Sequence, residues 1–126
     1  MNTALILFAH GARDPEWADP MRRVQAAIRK QQPGVTVELA FLEFMAPNLP
    51  DCIAAQVVAG ARKVVILPMF IARGGHLKRD VPELLEKLRA THPGVEFSLG
   101  GVIGEHEAVV QAMAAAALEV AGLSFA

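Results

Sequence analysis

Two histidines, His10 and His76, each come after a hydrophobic run of the kind that forms a buried strand, and each lies beside glycine. The two runs are residues 3–9 and 63–69. In an open α/β sheet, ligands bind in the crevice beyond the carboxyl ends of the strands. Two imidazoles brought to that crevice from separate strands can hold one metal ion or share one proton transfer. This pair is therefore the centre of a candidate site.

The hydrophobic pattern alternates between strand and helix spacing four times, with strands predicted at residues 3–9, 35–42, 63–69 and 95–100. Such alternation predicts a parallel sheet with right-handed crossovers. We expect one α/β domain over residues 1–126: a four-stranded parallel sheet flanked by helices, flavodoxin-like, with strand order 2-1-3-4. That order places the first and third strands side by side, so His10 and His76 would face the same crevice.

Capping residues and turn signals predict where the helices begin and end. Asp14 followed by Pro15 is typical of the start of the first helix, whose predicted buried stripe is Trp17, Met21, Val24 and Ile28. Residues 73–79 are predicted to form a loop, with Asp80 capping the third helix. The last helix is expected to begin near Glu105.

Composition narrows the classes of partner. With a net charge of −1, the protein has no overall electrostatic attraction to nucleic acid or membrane. Cys52 is the single cysteine, which excludes an intramolecular disulfide and fits a reducing, cytoplasmic compartment; we expect its side chain to be buried. The first apolar run is short and has no basic leader, so it reads as a strand and not as a signal peptide. Residues 108–126 are alanine-rich and include charge, which favours a packed helix over a membrane span.

Glu43 lies where the second strand ends, at the same predicted rim of the sheet. Its carboxylate could serve as a third ligand, a proton shuttle or a helper in metal delivery, or it could be a solvated acid at a strand end. Its neighbours Phe44 and Met45 could wall a pocket, although core packing is the usual function of such residues.

Basic residues and glycines surround the second histidine. The cationic side chains near the two histidines are Arg13, Arg73, Lys78 and Arg79. They could pair with ligand carboxylates or phosphates, or form an ordinary solvated loop. Gly74 and Gly75 leave room beside His76 for a flat, bulky ligand. There is no Walker A sequence, and no serine or cysteine sits at a strand-end elbow.

The segment His10-Gly11-Ala12-Arg13-Asp14-Pro15 resembles the His-Gly-Ser-Arg opening of the small sirohydrochlorin chelatases of the short CbiX/SirB type. Residues 41–50 resemble the second-strand segment of that family, and residues 67–82 resemble the third. The resemblance covers essentially the whole chain. It departs from the family at Ala12, where serine is common.

The resemblance implies an ATP-independent, class II chelatase that inserts a divalent metal into sirohydrochlorin, on the way to cobalamin, siroheme or coenzyme F430. Co²⁺ is the first expectation, with Ni²⁺ and Fe²⁺ as alternatives. The metal would be a substrate, and no organic cofactor is implied. Longer relatives contain two such domains facing each other. A chain of this length therefore implies a homodimer with the tetrapyrrole in its cleft and the apolar last helix at the interface.

The resemblance also assigns individual residues. His10 would be metal ligand and proton acceptor, and His76 the second ligand. Glu43 is expected as a further catalytic residue because of its place at the strand-end rim, and not from the resemblance. The macrocycle would be lined by Met45, Ala46, Ile71, Ala72, Arg73, Gly74 and Gly75.

Two other functions are alternatives to the chelatase function that the resemblance implies. A non-catalytic carrier of metal or tetrapyrrole would use the same crevice without turnover. A phosphohistidine enzyme is disfavoured, because those enzymes usually place arginine directly before the histidine and this chain has Ala9 there.

Overall fold

A computed structural model describes residues 2–123, apart from the side chains of residues 75–78. Its strands are β1 (Thr3–Ala9), β2 (Thr36–Phe41), β3 (Lys63–Pro68) and β4 (Glu96–Leu99). They form one parallel sheet in the order β2-β1-β3-β4. The predicted fold class and strand order are therefore confirmed, and β1 and β3 are neighbours at the centre of the sheet.

Four α-helices connect and follow the strands: α1 (Asp19–Gln31), α2 (Leu49–Val58), α3 (Gly75–Thr91) and α4 (Glu107–Val120). Short 3-10 turns at Pro15–Ala18 and Ile103–Glu105 precede α1 and α4. As predicted, Asp14 caps the first helical turn, where its carboxylate accepts from the Glu16 N–H at 2.9 Å. Asn48 caps α2 in the same way, accepting from the Asp51 N–H at 2.8 Å.

The hydrophobic core lies on both faces of β1. Helices α2 and α3 pack on one face through residues such as Ile53 and Leu85, and α1 packs on the other near Ala18. Cys52 is buried in the first of these layers, as predicted. Burying a side chain of the size of Ile53 or Leu85 stabilises the fold by about 1.5–3 kcal/mol, so this two-sided packing holds the strand ends in place.

Trp17 was predicted to belong to the buried stripe of the first helix, and this is wrong. Its side chain is exposed, whereas Met21, Val24 and Ile28 are half-buried as expected. The cause is the 3-10 turn at Pro15–Ala18. A 3-10 turn has three residues per turn instead of 3.6, so Trp17 is rotated off the stripe that α1 continues.

The predicted start of the third helix is also wrong. Residues 75–79 were predicted as loop with Asp80 as the cap, but α3 begins at Gly75 and Pro82 lies inside it. An internal proline removes one backbone hydrogen bond and usually marks a helix start. Here Val81, Leu85 and Leu88 are buried against the sheet on the turns that carry and follow the proline. This packing keeps the helix continuous where local signals place a boundary.

Helix α4 is almost entirely exposed. Of its 14 residues only Val109 is half-buried, and exposed apolar side chains include Val110, Met113 and Leu118. Its start is capped by His106, whose Nδ1 accepts from the Ala108 N–H at 3.2 Å. Within residues 2–123, no helix is long and apolar enough to cross a membrane.

Candidate active site at the carboxyl edge of the sheet

His10 and Glu43 meet beyond the carboxyl ends of β1 and β2. The Nε2 atom of His10 lies 2.9 Å from Oε1 of Glu43. Because a carboxylate only accepts, the imidazole N–H is the donor in this hydrogen bond. The side chains are 51% and 49% exposed, so the pair is open to a ligand from solvent.

The backbone continues the sheet into the site. Beyond the ends of the strands, the N–H of Leu42 donates to the Ala9 carbonyl at 2.9 Å, and the N–H of Glu43 donates to the His10 carbonyl at 3.0 Å. Gly11 makes this close approach feasible, because its φ is +95° and a Cβ on it would overlap the Glu43 carbonyl oxygen. The relative position of the two functional side chains is therefore set by main-chain hydrogen bonds.

Phe70 connects the His10 ring to the hydrophobic core. Its ring meets the His10 imidazole edge to face, with centroids 6.4 Å apart, and it meets the buried Phe8 ring in the same manner at 6.0 Å. Phe70 is itself buried. Since such aromatic contacts restrict ring orientation, Phe70 supports one side of the imidazole while Glu43 holds its Nε2 edge. No sequence signal distinguished Phe70 from an ordinary core residue.

The segment that follows β3 lies against the start of the 3-10 turn before α4. The N–H of Gly104 donates to the Phe70 carbonyl at 2.9 Å, and a Cβ on Gly104 would overlap the Ile71 backbone. Arg73 and Glu105 pair across the same contact, with Nε and Oε2 3.5 Å apart. The predicted lining residues Ile71, Ala72, Arg73 and Gly74 are all exposed along this segment.

An apolar cleft of about 160 Å³ lies on the other side of Phe70. Its walls come from the ends of β3 and β4 and from the first half of α3, with Arg73 among the lining residues. Phe70 also lines it, so one aromatic ring separates this cleft from His10. The cleft is too small for a macrocycle but large enough for a side arm of one.

The second predicted histidine, His76, is the second residue of α3, which follows the β3 end of the sheet. Its side chain lies outside the described part of the structure, as does that of Lys78. The exposure of the predicted lining residue Gly75 lies outside it too. Arg79 is exposed. Among the side chains that are described, no third histidine, cysteine or carboxylate joins His10 and Glu43 in a metal-binding cluster.

The loop after Glu43 presents its side chains in different directions. Met45 is half-buried and packs against the core cluster that contains Ala18, and Ala46 lines a groove with residues of α1 and α2. Phe44, between them and the site pair, is 57% exposed. Phe44 is therefore the more exposed of the two large apolar neighbours of Glu43, since Leu42 is 38% exposed, although Met45 and Ala46 were the residues predicted to line the ligand.

The His10–Glu43 pair has the chemistry of a two-point cation site and of a proton acceptor. Two ligands at about 2.1 Å from one ion and at right angles to each other lie about 3 Å apart. The observed separation of 2.9 Å between nitrogen and oxygen fits that spacing. An imidazole also accepts protons near neutral pH, so the same two side chains can exchange a proton for a divalent cation.

A profile of one protein family, described as CbiX, matches residues 4–120. The chain belongs to the CbiX family. Several curated relatives are named sirohydrochlorin cobaltochelatase. The one from Methanococcus aeolicus is 37% identical over 82 residues, 65% of this chain and 57% of that protein. The one from Priestia megaterium is 32% identical over 108 residues, 86% of this chain but only 35% of that protein. The chain thus spans less than two thirds of these relatives, whereas it matches 85% of the Saccharolobus solfataricus protein at 31% identity.

Solved structures of the family share the fold. A CbiX protein from Marinobacter aquaeolei VT8 superposes with a TM-score of 0.81 at 26% identity, covering 95% of this chain and 98% of that one. The sirohydrochlorin chelatase SirB from Bacillus subtilis subspecies spizizenii, in complex with cobalt, superposes with a TM-score of 0.79 at 25% identity. That match covers 96% of this chain and 52% of SirB. One copy of this CbiX domain therefore corresponds to about half of SirB.

Proposed function

We propose that this protein inserts a divalent metal ion into sirohydrochlorin without ATP, with Co²⁺ as the first candidate. The observation that carries the proposal is the 2.9 Å contact between His10 and Glu43 at the open carboxyl edge of the sheet. The relatives named sirohydrochlorin cobaltochelatase and the SirB structure with cobalt support this substrate pair. Imidazole ligands also suit Ni²⁺ and Fe²⁺, so both remain alternatives.

Insertion must remove two pyrrole N–H protons from the ring as the cation enters its centre. In this proposal His10 and Glu43 hold the incoming cation, with His76 as a further ligand. As the ring nitrogens replace these ligands, the released imidazole accepts one ring proton and the carboxylate or solvent accepts the other. The cation and the protons thus change places across a single pair of side chains.

Sirohydrochlorin bears several peripheral carboxylates, so a protein of net charge −1 needs local cations to bind it. We assign this function to Arg73 and Arg79, with Lys78 between them in sequence. Arg73 already pairs with Glu105, which a ligand carboxylate would replace. An Arg79→Glu variant whose KM for sirohydrochlorin equals the wild-type value would contradict this assignment.

The proposed assembly is a homodimer in which two copies face each other across the tetrapyrrole. Two facts support it: this chain corresponds to about half of SirB, and α4 leaves nearly all of its apolar side chains exposed. Exposed apolar surface of this extent is typical of an interface.

The decisive experiment follows the visible spectrum of anaerobic sirohydrochlorin with catalytic amounts of protein. Co²⁺, Ni²⁺ and Fe²⁺ are added in separate cuvettes, and the controls are no protein and His10→Ala. We expect metallation faster than in both controls over many turnovers, with the rates ranking the metals. A change that stops at one ring per site would identify a carrier instead. No protein-dependent change with any metal would refute a chelatase function.

A further inference from the structure

Phe44 combines an unusual backbone conformation with an exposed aromatic ring. Its φ is +65°, and the N–H of Met45 donates to the Glu43 carbonyl at 2.8 Å across it. This is a γ-turn of the rare left-handed form, which is strained for a residue with a side chain. Glycine would remove the strain, and the ring is 57% exposed, so it adds little to the core. Neither feature of Phe44 favours stability, which indicates that the ring has a function other than stabilising the fold.

Arg13 holds one face of that ring. Its guanidinium carbon lies 4.9 Å from the Phe44 centroid, within the range of a cation–π contact. Among the described residues, no carboxylate pairs with Arg13. A guanidinium that stacks through its flat face keeps its N–H groups pointing outward in its plane, where they can bind a carboxylate.

The two members of this stack come from the two loops that also supply the site pair. Phe44 directly follows Glu43, so their Cα atoms are about 3.8 Å apart. Arg13 follows His10 by three residues in the loop after β1. A flat ring whose centre reaches His10 and Glu43 must extend over their immediate neighbours. Phe44 and Arg13 are exposed residues of the same two loops, so such a ring can reach them.

We propose that Phe44 and Arg13 form a recognition platform for the tetrapyrrole. The exposed face of Phe44 contacts the macrocycle, and Arg13 both positions the ring and pairs with a peripheral carboxylate. The chemistry fits on both counts, because aromatic faces attract flat conjugated ligands and guanidinium groups bind carboxylates. This inference rests on the proposed function in its choice of ligand, but it concerns binding and not metal transfer.

The test is an anaerobic titration of protein into metal-free sirohydrochlorin, read by the change in the visible spectrum of the ring. Phe44→Gly removes the aromatic face and also the backbone strain, so a loss of binding cannot be attributed to misfolding. We expect its Kd to rise about tenfold, with a Tm at or above that of the wild type. Phe44→Trp keeps a flat ring and should bind within about twofold of the wild type. Val58→Ala, which truncates an exposed apolar residue on α2, is the matched control.

The contribution of Arg13 is tested by Arg13→Gln, with Arg23→Gln on the exposed face of α1 as its control. We expect Arg13→Gln to weaken binding about fivefold at low ionic strength and less at high salt, because a half-solvated ion pair is screened. The double variant with Phe44→Gly should lose less than the product of the two single losses, since the two side chains act through one stack.

If Phe44→Gly binds metal-free sirohydrochlorin with the wild-type Kd, the platform proposal is overturned. The chelatase proposal survives that result as long as the wild-type protein metallates the ring. A wild-type protein that binds the ring but never metallates it would refute the chelatase proposal. The platform proposal would still be tested by the binding titrations of the Phe44 and Arg13 variants. A wild-type protein that does neither would refute both.

Discussion

Glu43 is joined to His10 twice, once through the main chain and once through the side chains. Its N–H donates to the His10 carbonyl at 3.0 Å, and its carboxylate accepts from the imidazole at 2.9 Å. The first bond belongs to the parallel ladder between β1 and β2, extended past the strands. The geometry of the reactive pair is therefore tied to the register of the sheet, although both side chains are half-exposed.

Replacing Glu43 by glutamine tests whether its charge is used. The amide keeps the shape and can still hydrogen-bond the imidazole, but it binds a divalent cation weakly and accepts no proton. We expect metallation of sirohydrochlorin to fall about 10- to 100-fold, with an unchanged Tm because the pair is open to solvent. Glu96→Gln, on an exposed carboxylate of β4, is the control. Equal rates for Glu43→Gln and the wild type would remove Glu43 from the mechanism.

Gly11→Ala should damage both fold and site. A methyl group there would overlap the Glu43 carbonyl oxygen, and φ of +95° is unfavourable for alanine. We expect the free energy of unfolding to fall by more than about 2 kcal/mol, measured by urea denaturation. Gly34→Ala is the matched control, because a Cβ at Gly34 meets no atom within 4 Å. A loss of similar size in both variants would show that the close approach at Gly11 is unimportant.

Phe70→Leu separates the support of the imidazole from core stability. Leucine fills much of the space but loses the edge contact with the His10 ring. Phe97→Leu is a matched change, since the two phenylalanines are 9% and 7% exposed and Phe97 contacts His92 instead. We expect both variants to lose about 1–2 kcal/mol of stability, and only Phe70→Leu to slow metallation several-fold. Equal rates in the two variants would mean that Phe70 does not position His10.

A charge on the exposed face of α4 tests the proposed dimer. Leu118 lies on that face, and a glutamate placed there would have to be desolvated in an interface. We expect the wild type to sediment as a dimer at micromolar concentration and Leu118→Glu to sediment as a monomer. Val58→Glu puts the same charge on an exposed position of α2 and should leave the dimer intact. A monomeric wild type would refute the assembly.

The buried thiol of Cys52 predicts a loss of stability at alkaline pH. Burial, and to a smaller extent the nearby carboxylate of Glu38, raises the pKa of Cys52 from 9.0 to about 11. The unfolded thiol ionises near pH 9 while the folded thiol keeps its proton, so the unfolded state is favoured as the pH rises from 9 to 11. Urea unfolding at pH 8, 9 and 10 should show a steeper decline for the wild type than for Cys52→Ala. Parallel declines would contradict this coupling.

Much of the architecture follows from local pattern. Apolar runs separated by helical spacing predicted four parallel strands, and β1 was placed correctly to the residue. The order β2-β1-β3-β4 was expected from the flavodoxin-like arrangement of such sheets, and it is confirmed. Parallel strands bring their carboxyl ends to one edge of the sheet. Residue chemistry at those ends was enough to select His10 and Glu43 as candidates, since imidazole and carboxylate are the types that bind cations and protons.

Other features depended on contacts between segments distant in sequence, and no local pattern records those. The start of α3 at Gly75 depends on burial of Val81 and its neighbours against the sheet, which outweighs the proline signal. The 2.9 Å contact of His10 with Glu43 depends on the register of two strands and on the space that Gly11 leaves. The left-handed turn that exposes Phe44 beneath Arg13 is unfavourable for that residue locally. Sequence therefore determined which side chains reach this edge of the sheet, because periodicity and residue chemistry are local. Tertiary structure decided which of them touch, because contact depends on strand register and packing across the whole domain.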